Sequence, residues 1–248
     1  MKIIAYTALH YGKDYLESAM QSVIDCVDEF HILYTSQGSH GTRIMAPCPE
    51  TADELFEIAG TFGWGKVHWH TGAWSAEGKQ RDFIHQLSPD ADIILVVDAD
   101  EIWSPKLVDA AIGLHGDKDG PYRLRAPMVH FWRSFKRAVL HDPAFPERVI
   151  YPKKENKTVG GLPYVGVISH MGYAQRPEIV EYKMKIHGHL NELRTDVDWF
   201  QDVYMNPARS QDLHPIGSDY WNAEAVNPWD YLPQFMMGHP YAYLEIIE

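Results

Sequence analysis

The run Ala91-Asp92-Ile93-Ile94-Leu95-Val96-Val97-Asp98-Ala99-Asp100-Glu101 constrains this chain most. A short, continuous, β-branched apolar stretch reads as a strand buried on both faces, the kind found in the middle of a parallel sheet. It ends in three carboxylates within four residues. In an open α/β sheet the carboxyl ends of the central strands form the ligand crevice. Asp98 and Asp100, at alternate positions, leave such a strand side by side, where one hard cation can hold both. Mg²⁺ typically takes one or two carboxylates and completes its shell with phosphate oxygens and water. The competing reading is an acidic turn that caps the next helix. Ser104-Pro105 already supplies a cap and first-turn signal just downstream. The expectation is therefore a metal–diphosphate site.

The chain before this run alternates strand and helix. Lys2 to Leu9 reads as a strand, and a helix over about 14–25 follows, with Tyr15, Leu16, Ala19, Met20, Val23 and Ile24 on one face. Glu29 to Thr35 is a second strand, ending in the turn-rich segment Ser36 to Gly41. Thr51 and Glu54 form a capping box ahead of the apolar stripe Leu55, Ile58, Ala59, Phe62. Gly65 to His70 is a third strand, Ser75 opens a helix carrying Phe83, Ile84 and Leu87, and Pro105 starts another after the acidic cluster. Such alternation argues for βαβ units with right-handed crossovers and a mainly parallel sheet.

After Gly120 the pattern loosens. Strands are expected over 121–131, 148–151 and 162–170, helices over 176–189 and 196–205, and an irregular stretch over 133–147. No disordered linker separates the halves. The reading is one domain over 1–248, in which 1–118 binds a nucleotide and 119–248 supplies the acceptor side.

The net charge of −12 weighs against broad non-specific binding to nucleic acid, without excluding a local basic patch. Two cysteines, Cys26 and Cys48, make no metal-like or redox-like pair. The N-terminal apolar stretch is too short for a signal peptide, and no run is long enough to span a bilayer. A cytoplasmic protein without a membrane partner is expected.

With these features in place, the chain resembles the GT-A-fold glycosyltransferases, through the strand Ile3–Leu9, Gln80-Arg81-Asp82, and Asp98-Ala99-Asp100-Glu101 after an apolar strand. The resemblance implies a Rossmann-like mixed, mainly parallel sheet flanked by helices, with a C-terminal acceptor-side elaboration. It also implies Mn²⁺ or Mg²⁺ and a nucleotide-sugar donor such as a UDP-sugar. Asp100 would ligate the metal, and Asp98 would reach the metal, the ribose or both. A second stretch, Ile168 to Tyr173 followed by Lys183 and His187-Gly188-His189, is similar to the C-terminal part of the N-acetylglucosaminyltransferases that act on the core mannose of N-glycans. There a strand ends in a His near the metal, and a Lys and a His lie on the following helix.

Read on its own chemistry, His170 closes an apolar strand, so its imidazole can complete a metal shell beside two carboxylates. A half-buried, hydrogen-bonded His is the plainer alternative. Lys183, Lys185, His187 and His189 can donate to a departing diphosphate, or form a solvated basic face. Arg81 lies four residues after Glu77, the spacing of an intrahelical ion pair; the family likeness adds donor binding. Thr7, Ala8 and Leu9 end the first strand at the sheet edge of Asp98, where a nucleoside can rest. For a base acting on the acceptor hydroxyl, Asp142, Glu147, Glu192 and Asp202 are all available. Asp142, in His141-Asp142-Pro143, is the nominal choice, and His187 is the second catalytic candidate. The acceptor is a glycan, a small molecule, or a hydroxymethylated base in DNA of the kind some bacteriophage enzymes modify. The clusters Arg133/Lys136/Arg137 and Lys153/Lys154/Lys157 bear on that last possibility. Two other readings compete: a nucleotide-sugar or glycan-binding module without chemistry, and an Asp-x-Asp phosphatase. The phosphatase motif normally lies at the first strand and continues with Thr or Val, not Glu101.

Overall fold

The computed structural model describes residues 1–38, 46–117, 119–140, 145–155, 157–186, 192–206, 212–216 and 220–246. Two sheets meet in it. The larger has seven strands in the order β10-β6-β9-β4-β1-β2-β3, and the smaller five, in the order β12-β8-β7-β11-β5. In the larger sheet β1 (Ile3–Leu9), β2 (Glu29–Tyr34), β3 (Val67–Thr71) and β4 (Ile93–Val96) run parallel, with β1 central. The fold is α/β, with a mixed, mainly parallel sheet flanked by helices.

The alternation of β1 explains its central place. Ile3, Ala5 and Leu9 join the main core with α1 (Leu16–Gln21) and α2 (Ala52–Gly60). Ile4 and Tyr6 join a second core on the other face with Leu33, Ile84, Ile94 and Val96. A strand buried on both faces is expected to be largely apolar: β4 is so throughout, and β1 is so except for the buried Thr7. The expected capping box is present: Thr51 accepts from the Glu54 amide, while the Glu54 carboxylate takes the Thr51 amide. Downstream, α3 (Glu77–Asp82) and α4 (Ile84–Leu87) share what reads in sequence as one helix. Pro105 opens α5 (Pro105–Gly113) as expected.

The acidic run is where the chain leaves one sheet for the other. Asp98 to Glu101 forms a turn, closed by a hydrogen bond from the Glu101 amide to the Asp98 carbonyl at 3.0 Å. Glu101 then starts β5 (Glu101–Trp103), antiparallel to β11 (Ile168–Tyr173) in the smaller sheet. Sequence periodicity does not show so short a strand.

The second half departs from expectation in several places. The stretch 121–131 is two strands, β6 (Arg123–Arg125) and β7 (Met128–Trp132), in different sheets. The break falls at Ala126-Pro127, where proline has no amide for a ladder. Within 133–147 the chain forms β8 (Arg137–Val139). Next come β9 (Glu147–Ile150), antiparallel to both β4 and β6, and β10 (Val159–Gly161) at the sheet edge. β11 begins at Ile168 and runs past His170 to Tyr173, so His170 lies inside the strand, not at its end. The strand forms only where β5 and β7 flank it. α6 (Pro177–Ile186) follows. The helix expected over 196–205 is a π-helical segment, Trp199–Met205, whose wider turn puts Trp199, Val203 and Tyr204 together in an aromatic core with Trp132, Tyr173 and Trp221. β12 (Glu224–Ala225) completes the smaller sheet. Both cysteines are free. No helix among the described residues is long and apolar enough to cross a membrane.

Candidate active site at the junction of the two sheets

Because β1, β2 and β4 are parallel, their carboxyl ends open at one edge. There a cleft of about 600 Å³ runs from Ala8, Thr35, Trp74 and Arg81 on the side of the larger sheet to Met128, Tyr173 and Trp221 on the side of the smaller. The turn between the sheets forms its floor.

Each carboxylate of the turn has a cationic partner. Arg81 spans Glu77 (2.6 Å) and Asp98 (2.9 Å), so the ion pair expected from the spacing exists and extends to the turn. Arg148 donates through Nη2 to Asp98 Oδ2 at 2.8 Å, and grips Glu101 through Nε (2.9 and 3.0 Å) and Nη2 (2.6 Å). The antiparallel register of β9 on β4, Val149 opposite Leu95, brings Arg148 to this place. Lys183 Nζ and His170 Nε2 converge on Asp100 Oδ2, at 3.3 and 3.5 Å. Asp98, Asp100 and Glu101 are thus matched by Arg81, Arg148 and Lys183.

The electrostatics follow from burial and partner. Burial alone would push the Asp98 carboxyl up; Arg81 and Arg148 outweigh it and hold the group below its ordinary value. For Asp100 burial is again opposed, here by Lys183 and then His170, which keep it well below the carboxylate range. Glu101 is 1% exposed in its side chain, and there burial prevails over Arg148 and raises the pKa. Burial would lower Lys183, but Asp100 drives it well above an ordinary lysine.

Supporting contacts set these groups. His130 sits opposite His170 in the β7–β11 register, and their Nδ1 atoms are 2.9 Å apart. Gly172 makes the approach of His170 and Lys183 possible: a Cβ there would lie 2.4 Å from His170 Cε1 and 2.4 Å from Lys183 Nζ. Helix α6 is pinned at two points. Arg176 pairs with Asp14 and the buried Glu50, which also takes the Gly12 and Lys13 amides. His10 Nδ1 must donate to the Thr35 carbonyl at 2.8 Å, so its Nε2 accepts from the Tyr182 hydroxyl at 2.7 Å.

The donor set at Asp100 bears on a metal. Among the described residues no three His, Cys, Asp or Glu side chains form a group that could hold one. The pair Asp100 and His170 is available, with an ammonium already seated on the same oxygen. One carboxylate and one imidazole would leave a divalent ion most of its shell to fill from phosphate and water. Asp98, by contrast, has both guanidiniums against it.

Of the other sequence candidates, Ala8 lines the cleft, whereas Leu9 packs in the main core and Thr7 is fully buried. Asp142, His187 and His189 lie outside the described residues. Glu147 pairs with Arg123 at 3.0 Å. The basic clusters hold surface structure: Lys136 pairs with Glu245, Lys153 with Asp92, and Lys154 reaches the Leu114 carbonyl. The sequence alone does not single out Arg148, His130 or Gly172. Their roles come from strand register, and no local pattern marks them.

No protein-family model matches the chain, and no curated protein matches it. Among solved structures it is similar to glucosyl-3-phosphoglycerate synthase from Mycobacterium tuberculosis in complex with Mn²⁺ and UDP-glucose, at 16% identity and a TM-score of 0.36. That match covers 53% of this chain and 43% of the other. A second is 4-diphosphocytidyl-2C-methyl-D-erythritol synthase from Anaerococcus prevotii DSM 20548, at 11% identity and a TM-score of 0.41, covering 77% of this chain and 97% of the other.

Proposed function

We propose that this chain is a glycosyltransferase that moves a sugar from a nucleotide-sugar donor, a UDP-sugar first among them, to an acceptor hydroxyl. The observation that carries the reading is the junction itself. Three carboxylates and three cationic side chains meet at the carboxyl ends of parallel strands, in a cleft whose far wall is aromatic and comes from the second sheet.

In this reading Asp100 and His170 hold Mn²⁺ or Mg²⁺. The bound ion would supply Lewis-acid stabilisation of the charge that develops on the leaving diphosphate. Arg81 and Arg148 fix Asp98 beside the nucleoside end of the cleft, where its carboxylate can accept from ribose hydroxyls. Ala8, at the end of β1, leaves room for the nucleoside against Trp74. Lys183 donates to diphosphate oxygens, with His189 as a proposed second donor. Tyr173 and Trp221, packed in the aromatic core, line the acceptor end of the cleft. Asp142 and His187 are proposed to take the acceptor's proton. The acceptor class is a glycan, a small molecule or a hydroxymethylated DNA base. The engagement of the basic clusters with acids and carbonyls of this chain favours the first two.

The phosphatase reading needs a free nucleophilic carboxylate at the strand end. Asp98, pinned between two guanidiniums, is poorly suited to that role.

The test is a thermal-shift screen of nucleoside diphosphates and nucleotide sugars with and without Mn²⁺, followed by donor hydrolysis. Stabilisation by one nucleotide only with metal, lost in Asp100→Asn, supports the transferase. A folded Asp100→Asn variant that hydrolyses the donor normally would overturn it.

A further inference from the structure

Lys183 stands where a metal-bound nucleotide would need Asp100 to be open. Its ammonium lies 3.3 Å from Asp100 Oδ2, the same oxygen that His170 Nε2 approaches at 3.5 Å and Gln175 Nε2 at 3.5 Å. Lys183 and Gln175 both donate to this one carboxylate oxygen, and the His170 ring lies beside it. A divalent ion taking this carboxylate as a ligand would have to compete with that ammonium for its charge.

We propose that Lys183 is the resident counter-ion of Asp100 in the ligand-free protein, and that it yields this carboxylate to the divalent cation only when a diphosphate arrives to receive its ammonium. The inference rests on the metal-dependent reading given above and adds how the site is loaded.

Three features support the exchange. The backbone of α6 is held by Arg176 on Asp14 and Glu50 and by Tyr182 on His10. The movement is therefore confined to the lysine side chain, a flexible four-carbon stem with a compact charge. Gly172 leaves the space in which that charge and the His170 ring lie together. Finally, Lys183 is only 14% exposed in its side chain, with the Tyr173 ring 5.0 Å away. Displaced without a new anion, it would be a half-buried unpaired cation, which is costly. Metal alone must bear that cost, whereas metal with diphosphate does not. The two ligands then favour each other, and by linkage each raises the other's affinity by the same factor.

The experiment is Mn²⁺ titration of the full chain followed by electron paramagnetic resonance of the free ion, with and without saturating UDP, each read against the same Mn²⁺ and UDP without protein so that the Mn²⁺–UDP complex in solution is subtracted. Wild type, Lys183→Met, Lys183→Arg and Asp100→Asn are compared, with circular dichroism to confirm folding. In wild type, UDP should tighten Mn²⁺ binding by about tenfold or more. Lys183→Met, which removes the resident charge, should bind Mn²⁺ about tenfold more tightly than wild type without UDP, and show a smaller nucleotide effect. Lys183→Arg keeps the charge and should stay as weak as wild type without UDP. Equal or weaker Mn²⁺ affinity in folded Lys183→Met overturns the exchange while leaving the metal site standing. Absence of Mn²⁺ binding in wild type even with UDP, or undiminished binding in Asp100→Asn, removes the metal reading and the exchange with it.

Discussion

Arg148 is the side chain on which the junction depends most, and Arg148→Met isolates its contribution. Its guanidinium makes the 2.6 Å contact with Glu101 and the 2.8 Å contact with Asp98, and is itself 14% exposed. Methionine keeps most of the stem and removes the charge. Asp98 retains Arg81, but Glu101, at 1% exposure, loses its only ion-pair partner among the described residues. Breaking a buried ion pair from one side costs about 3–5 kcal/mol. In a chain of this size each kcal/mol moves the melting temperature by about 2–4 °C, so a loss of roughly 6–20 °C is expected at pH 8. The pH dependence gives the sharper test. Burial already raises the Glu101 pKa above its ordinary 4.5 against the pull of Arg148. Without the guanidinium it rises further, while in the unfolded chain it stays ordinary. The folded variant therefore holds an extra proton between those two values, and its stability falls as pH rises through the window, by up to about 1.4 kcal/mol per unit. The deficit against wild type should be greatest at pH 8 and shrink towards pH 5. Urea denaturation across that range measures it directly. Arg148→Met/Glu101→Gln, which removes the stranded charge, should recover much of the loss. A deficit under about 1 kcal/mol at pH 8, or one that does not change with pH, would refute an electrostatic role for Arg148.

Three further outcomes are expected. Burial lowers the pKa of His10, His31, His70 and His239 from 6.5; the unfolded chain then takes protons first as pH drops, and the melting temperature should fall between pH 7 and 5.5. A flat profile over that interval would contradict the burial of these imidazoles. Gly172→Ala places a Cβ 2.4 Å from both His170 and Lys183, and should cost about 1–3 kcal/mol and weaken Mn²⁺ binding in the presence of UDP; if denaturation and metal titration both match wild type, the cradle is not needed. His130→Ala removes the group beside His170 Nδ1 and should loosen Mn²⁺ by about 10–100-fold with an unchanged circular dichroism spectrum; unaltered affinity would show that His170 needs no such support.

What the sequence reveals here is what local pattern can encode. The double-sided burial of β1 and β4, the Thr51–Glu54 cap, the Pro105 helix start and the carboxylates after an apolar strand all follow from spacing within a dozen residues. The second half is less legible, because its strands are two to six residues long and make sense only beside their partners. The site shows the same divide. Asp98, Asp100 and Glu101 read as one acidic cluster calling for one cation, yet the turn sends them different ways. Asp98 meets Arg81 and Arg148, 17 and 50 residues away; Glu101 meets Arg148 across 47; Asp100 meets Lys183 across 83. A chain with a net charge of −12 has few bases to spend, and burying three carboxylates uncompensated would be prohibitive. The strand registers that bring those bases home are therefore part of the site. They also explain why Asp100 differs from its neighbours. Asp98 and Glu101 are held by guanidiniums, which stay charged and bind in a planar fork, whereas Asp100 is held by one lysine on a flexible stem. Of the three, it is the carboxylate that can be released to a ligand.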